Sequence, residues 1–145
     1  MESTSTGKWF EYHHRVTFVD TNMVGNVYFA TYVQWMGKCR DMIMAEHYPQ
    51  IKEHIRAGFG FATEYVHMDY LHETFLFDEM LVRMTVKEIT RTRVEFLCEI
   101  VNEATNSVHA RGTQAVVWVN AQHQPSLMPD ELYEKACEYF DLPQM

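Results

Sequence analysis

The sequence predicts an α+β fold in which one antiparallel sheet covers a single long helix. Residues 27–48 form an apolar helical run, and four later segments are rich in β-branched and aromatic residues and are separated by short turns. A chain of 145 residues without internal repeats or low-complexity linkers has the size of one domain. We therefore predict a single domain over residues 9–145, preceded by a polar, disordered tail of residues 1–8.

The first half of the chain predicts a strand, a loop and two helices. Residues 9–19 carry apolar side chains at about every second position, which is typical of a half-buried strand. Residues 20–26 are rich in Asp, Asn and Gly and favour a loop. The helix of residues 27–48 follows and ends before Pro49. Residues 51–57 favour a short second helix.

The second half of the chain predicts the rest of the sheet and a last helix. Strand-like composition covers residues 61–71, 79–90, 94–102 and 109–120. An amphipathic helix is expected after Pro129, with Leu132, Ala136 and either Tyr139 or Phe140 on one side. The order of strand, long helix and consecutive strands gives two layers, a sheet around one central helix.

The charge balance argues against a nucleic-acid partner. Lysine and arginine number 12 and aspartate and glutamate 20, so the net charge is −8, whereas nucleic-acid binding requires a positive surface. The longest uninterrupted aliphatic and aromatic stretch, residues 115–119, is far shorter than the roughly 20 residues that span a bilayer. No membrane partner is expected, and no secretory signal is visible at residues 1–7, which favours a cytoplasmic location.

Cysteine and histidine usage predicts neither a disulfide framework nor a metal site. The three cysteines stand at wide spacings that fit reduced, buried thiols. The eight histidines form no ligand-spaced motif; His13 and His14 are neighbours on a strand and point to opposite faces. We therefore expect no metal and no cofactor.

Arg40 interrupts the apolar side of the long helix. On a helical wheel it falls between Phe29, Val33, Met36 and Met44. An arginine drawn into an apolar surface is costly unless it is paired.

Two interpretations of Arg40 are open. It could extend to solvent or pair with a carboxylate such as Glu64 or Asp20. Alternatively, it could belong to an oxyanion-stabilising site, because Asn22 and Gly25 lie just before the helix N-terminus, where free N–H groups favour negative charge.

These residues also carry a family resemblance. Residues 16–32, VTFVDTNMVGNVYFATY, with Arg40 further along the helix, resemble the signature of hotdog-fold acyl thioesterases of the 4-hydroxybenzoyl-CoA type. That signature runs D-x-D-x-x-G-x-V-Y/F, then Tyr, Glu and Arg, and the resemblance extends over roughly residues 10–120. Two positions depart from it: Asn22 stands where the second Asp is usual, and Gly37 where a helix Glu is frequent. This combination looks like the thioesterases that work beside enediyne polyketide synthases.

The resemblance implies a mechanism based on positioning. The backbone N–H of Phe29 is expected to donate to the thioester carbonyl, while Asn22 and Arg40 orient the attacking water or the oxyanion. An amide cannot act as a general base near neutral pH, so catalysis without a carboxylate is expected. Glu64 is the remaining candidate base, with a surface or arginine-pairing role as the alternative.

Two further groups are candidates for substrate binding. Tyr32 and Met36 share the helix side of Arg40 and could line an acyl channel, although core packing is equally consistent. Four basic residues form a cluster that could bind a phosphopantetheine phosphate or an acidic carrier protein, or could serve solubility alone: Arg83, Lys87, Arg91 and Arg93.

The resemblance further implies the substrate and the assembly. The expected substrate is a long acyl thioester, a polyene with a β-keto or β-hydroxy group, on the acyl carrier domain of an iterative enediyne polyketide synthase. Family sites form between subunits, which implies a homodimer or homotetramer. Two alternatives stay open: a non-catalytic hotdog protein that binds acyl chains or acts as a scaffold, and a general acyl-CoA thioesterase.

Overall fold

The computed structural model describes residues 8–144 and contains five strands and three α-helices. The strands are β1 (Phe10–Arg15), β2 (Gly60–Tyr70), β3 (Glu79–Ile89), β4 (Arg93–Asn102) and β5 (Ser107–Val119). The helices are α1 (Phe29–His47), α2 (Ile51–Arg56) and α3 (Asp130–Tyr139), with a short 3-10 turn at Phe18–Asp20. The predicted tail falls on residues 1–7, outside the described residues, and on Lys8, whose carbonyl accepts a hydrogen bond from Thr85 at 2.7 Å.

The five strands form one antiparallel sheet in the order β1-β3-β4-β5-β2. Helix α1 lies across the sheet and buries Trp35, Met36, Cys39 and Ile43 in the core. The α+β architecture, a sheet around one long helix, is therefore confirmed. No helix within residues 8–144 has the length and apolar character needed to cross a membrane.

Two of the element boundaries that differ from the sequence predictions have a clear cause in the hydrogen bonding. The first strand ends at Arg15, because Thr17 and Asp20 form a capping box that turns the chain into the 3-10 helix. Helix α1 begins at Phe29, since the backbone N–H groups of Val27 and Tyr28 donate to carbonyls of other segments and hold both residues extended.

One side of α1 is only partly covered by the chain. Ala30, Val33, Gly37, Arg40 and Met44 recur at helical spacing and are all half-buried. A Cβ built on Gly37 would meet only the Arg40 Nη2, at 3.7 Å. This side of the helix is therefore only partly shielded by the rest of the chain.

Gly112 is required by a close backbone approach within the sheet. A Cβ at this position of β5 would lie 2.1 Å from the carbonyl oxygen of His67 in β2. We expect Gly112→Ala to destabilise the fold by about 1–3 kcal/mol through overpacking, measured by chemical denaturation. Gly60→Ala is the matched control, because its Cβ would meet only Ile55 at 4.0 Å. Equal stability of the two variants would contradict the prediction.

Candidate active site

The loop before α1 uses the Asn22 side chain to hold its own shape. Asn22 Oδ1 accepts the Val24 N–H at 3.0 Å, and the Asn22 backbone N–H donates to the Asn26 carbonyl at 3.0 Å. Gly25 completes the turn at φ +87°, which glycine adopts without strain. Asn22 is exposed, and its amide N–H₂ group is the part of the side chain that the loop does not use.

Asp20 anchors both ends of this loop from the interior. Its Oδ2 accepts hydrogen bonds from His14 Nε2 at 2.9 Å and the Thr17 N–H at 3.0 Å, and its Oδ1 accepts one from Trp35 Nε1 at 3.4 Å. Burial raises the pKa of Asp20, but the bonds from Thr17 and His14 outweigh burial and bring this pKa below its ordinary value. The Asp20 carbonyl accepts the Tyr28 N–H and so fixes the helix start.

The first turn of α1 presents a free donor. Within residues 8–144 the backbone N–H of Phe29, the first helical residue, has no hydrogen-bond partner. The hydroxyl of Tyr70, at the end of β2, donates to the Phe29 carbonyl at 2.7 Å and holds this turn in place. A free N–H at a helix start, reinforced by the helix dipole, is suited to a developing oxyanion.

A cleft adjoins this helix start and is lined by Val27, Phe29, Tyr32, Tyr70, Leu71, His72 and Glu73. Tyr32 closes its inner end, 4% exposed, with its ring 5.2 Å from that of Tyr70. Burial raises the pKa of the Tyr32 phenol, which therefore keeps its proton at neutral pH. Glu73 was not identified from the sequence. Its Oε1 accepts the Asn26 Nδ2–H at 2.9 Å.

Arg40 is held by Gln114 of β5. Arg40 Nη1 donates to Gln114 Oε1 at 3.0 Å, and its Nη2 lies 3.0 Å from Asp41 Oδ1. Gln114 is 3% exposed, so the guanidinium is fixed from inside the protein. The pairing of Arg40 with Glu64 or Asp20 that the sequence suggested is wrong, because both carboxylates bond to other partners.

Phe29 and Arg40 do not meet within one chain. They are eleven residues apart on α1, which at 1.5 Å per residue places them about 16 Å apart along the helix axis. The structure thus brings Phe29 and Tyr32 into the cleft at the start of α1 and places Arg40 three turns away. Met36, 0% exposed, packs in the core between them. Asn22, in the loop before the helix, borders a separate depression together with Met23 and Leu76.

The basic cluster does not form an unpaired positive patch. Arg93 binds Glu64, Glu88 and Glu95. Glu64 is therefore paired with an arginine. This geometry does not support Glu64 as the general base of the hydrolysis. Arg91 donates to Asp130 Oδ1 at 2.9 Å.

The remaining members of the cluster are paired as well. Arg83 binds Glu99, and Lys87 Nζ lies 3.9 Å from Glu95. The guanidinium of Arg91 also lies over the ring of Tyr133, 4.0 Å from its centroid, and so fastens α3. Each cation of the cluster therefore lies beside a carboxylate, which reduces its free positive charge. Binding of a phosphate or a carrier protein at this cluster stays a prediction.

An apolar pocket lies between the second half of α1, the sheet and α3. Its cavity volume is small, ≈ 50 Å³. Phe61, Val94, Phe96 and Leu132 are among its lining residues, and Arg40 stands at its border. The lining suits an apolar chain with a polar group near the guanidinium.

Comparison with solved structures identifies the architecture. The dynemicin thioesterase, whose crystal structures reveal induced-fit and allosteric effects upon polyene binding, is 32% identical; the match covers 91% of this chain and 97% of that chain with a TM-score of 0.82. A 1,4-dihydroxy-2-naphthoyl-CoA thioesterase from Synechocystis is 20% identical over 94% of this chain and 100% of that chain, with a TM-score of 0.85. A hypothetical protein from Staphylococcus aureus, solved in complex with CoA, is 15% identical over 99% and 92%, with a TM-score of 0.86.

Fold and sequence together define a hotdog-fold hydrolase of acyl thioesters. The family model of the Thioesterase-like superfamily matches residues 16–136, more than half of the chain, and the protein belongs to that superfamily. A search of curated protein sequences gives no match.

Proposed function

We propose that this thioesterase releases a long polyene acyl chain, with a β-keto or β-hydroxy group, from the acyl carrier domain of an iterative enediyne polyketide synthase. The observation that carries the proposal is the 32% identity to the dynemicin thioesterase over 91% of the chain. The pocket beneath α3 supports it through its apolar lining, which is of the kind that contacts hydrocarbon chains. The free, buried thiols of Cys39, Cys98 and Cys137 fit the cytoplasm, where such a synthase works.

Catalysis in this proposal relies on positioned donors. The Phe29 N–H binds the thioester oxygen, the Asn22 amide orients water or the oxyanion, and Arg40 stabilises negative charge. The family positions 22 and 37 hold no carboxylate, so neither supplies a base.

A second subunit completes the site in this proposal. Antiparallel packing of two α1 helices about an axis near Gln34 brings Arg40 of each chain beside Phe29 of the other, which removes the 16 Å separation. The half-buried side of α1 is the surface for this contact. A homodimer, or a tetramer built from it, follows, and its mass is measurable by light scattering.

The substrate is tested by mass spectrometry of the released product. A carrier domain loaded with a polyene and the matching acyl-CoA are each incubated with the enzyme. We expect faster release from the carrier. Equal rates on short and long acyl-CoA would instead identify a general acyl-CoA thioesterase, and binding of the chain without cleavage of either thioester would identify an acyl-binding protein.

Asn22→Asp tests whether the Asn22 amide acts as a hydrogen-bond donor or only stands in place of a catalytic carboxylate. Aspartate keeps the acceptor that binds the Val24 N–H but removes the amide donor, so we expect hydrolysis to fall about tenfold or more. Thiol release under single-turnover conditions measures the effect. Asn106→Asp, in the exposed β4–β5 turn, is the matched control. A gain in activity for Asn22→Asp would show that a carboxylate at this position limits the rate and would contradict the donor role.

A further inference from the structure

A chain of hydrogen bonds runs from the core side of β1 to the start of α1. Tyr12 Oη lies 3.0 Å from His14 Nδ1, and His14 Nε2 lies 2.9 Å from Asp20 Oδ2. The carbonyl of Asp20 accepts the Tyr28 N–H at 3.2 Å. Tyr28 immediately precedes Phe29, so these bonds connect the strand to the residue beside the proposed oxyanion donor.

We propose that His14 is a positioning residue for the hydrolysis, because through Asp20 it directs the Phe29 N–H toward the thioester oxygen. The inference rests on the proposed function, in which that N–H binds the oxyanion. His14 lies on β1, Asp20 lies before the loop, and Phe29 begins α1. The imidazole therefore joins the strand to the segment that fixes the helix start.

The partners of the imidazole determine which nitrogen carries the proton. Asp20 as a carboxylate can only accept, so His14 Nε2 is the donor, and the neutral ring accepts the Tyr12 O–H at Nδ1. Burial raises the pKa of Asp20, but the hydrogen bonds from Thr17 and His14 outweigh burial, which keeps the carboxylate ionised. The ring of Trp35, on α1, packs against the imidazole with the centroids 4.7 Å apart.

Asp20 itself is unsuited to remove a proton from water. Its side chain is 8% exposed. Both carboxylate oxygens already accept hydrogen bonds, Oδ2 from His14 and the Thr17 N–H, and Oδ1 from Trp35 Nε1. The pair of His14 and Asp20 therefore acts on geometry, and the mechanism without a catalytic carboxylate is unchanged.

The test compares His14→Leu with His14→Gln on a thioester that the wild type hydrolyses. We expect kcat of His14→Leu to fall about 10–100-fold, because a displacement of about 1 Å at the reacting groups has an effect of that size. KM should stay within about twofold, since the oxyanion donor acts in the transition state. His14→Gln should recover most of kcat, because its amide N–H reaches about as far as Nε2 and keeps the bond to Asp20.

His13→Leu is the matched control. His13 is the neighbour on β1 that points to the opposite face, and it pairs with Glu103 at an exposed position, so kcat should stay unchanged. Equal losses of kcat in His14→Leu and His14→Gln would overturn the proposal, as would a kcat of His14→Leu within about twofold of wild type.

Tyr12→Phe is a milder variant that keeps the test decisive if His14→Leu does not fold. It removes only the hydroxyl that orients the imidazole, and we expect kcat to fall about threefold, the effect of one hydrogen bond. Unchanged kcat in this variant, at a wild-type melting temperature, would contradict an oriented imidazole and overturn the proposal.

A readout without substrate separates this inference from the proposed function. In protein labelled with ¹⁵N, the amide resonance of Phe29 should shift in His14→Leu and return close to its wild-type position in His14→Gln, while His13→Leu leaves it in place. An unmoved Phe29 resonance in His14→Leu would overturn the proposal. A wild type that cleaves no thioester would fail the proposed function, whereas the amide shift would still decide whether His14 orients Phe29.

Discussion

Replacing Arg40 with alanine is expected to lower kcat/KM for thioester hydrolysis by about 10²–10³-fold, the loss measured when a transition-state donor is removed. The guanidinium is pre-positioned by Gln114, so no cost of ordering it is incurred during the reaction. Arg40→Lys should recover little, because an ammonium cannot reproduce the planar set of donors. Release of free thiol, monitored with a chromogenic thiol reagent, gives the rate.

The control for this loss is Arg56→Ala. Arg56 is exposed and pairs with Glu53 on α2, so its removal should leave hydrolysis unchanged. Unaltered hydrolysis by Arg40→Ala, in a variant that melts like the wild type, would exclude Arg40 from the mechanism.

Mixing two inactive variants tests whether the site spans two chains. Asn22→Ala and Arg40→Ala each damage every site of their own homodimer. In mixed dimers one site combines the intact Asn22 of one chain with the intact Arg40 of the other, so random exchange should restore about a quarter of wild-type activity. No recovery after subunit exchange would place both residues in a site formed by one chain.

Replacing Glu99 with alanine is expected to lower the free energy of unfolding by about 3 kcal/mol. This value is at the low end of the range for breaking a buried ion pair, because both arginine partners are partly exposed. Glu99 is 2% exposed on β4 and lies directly opposite Arg83 of β3 and Arg111 of β5. Its Oε1 accepts Arg83 Nε at 3.0 Å and its Oε2 accepts Arg111 Nε at 3.0 Å. The melting temperature should fall by about 10 °C.

Two comparisons check the physical origin of this effect. Glu79→Ala removes a carboxylate from the exposed ion pair with Arg15 and should cost less than about 1 kcal/mol. Combining Glu99→Leu with Arg83→Met and Arg111→Leu should restore most of the stability, since apolar side chains replace a buried ionic group well. A melting temperature of Glu99→Ala equal to that of Glu79→Ala would show that the buried group contributes little.

The layer order and most element boundaries could be predicted from the sequence because they follow from apolar periodicity. The predicted helix over residues 27–48 is observed as α1 (Phe29–His47), and a predicted strand over residues 94–102 as β4 (Arg93–Asn102). The first strand was predicted too long because its end depends on the hydrogen bonds that Asp20 accepts from His14 and, fifteen residues away, from Trp35. Periodicity carries no information on such a contact.

The candidate site was predictable only where its residues share one segment. Asn22 and Phe29 lie within one stretch of eight residues, so the resemblance to the thioesterase signature implied a role for both. Glu73 reaches the site through a contact with Asn26, 47 residues away, and Gln114 reaches Arg40 across 74 residues. Among the partners of Arg93, only Glu64 is distant in sequence, 29 residues away, and its pairing matches the alternative that the sequence left open.

The three helical turns between Phe29 and Arg40 have a consequence for how the enzyme responds to its own concentration. In the proposed dimer the site is divided between two chains, and it exists only while they are associated. Dilution below the dissociation constant of the dimer would therefore lower the activity per chain, and the rate would rise with nearly the square of protein concentration in that range. Product release would then become fast only when the cell makes enough of the enzyme to exceed this dissociation constant.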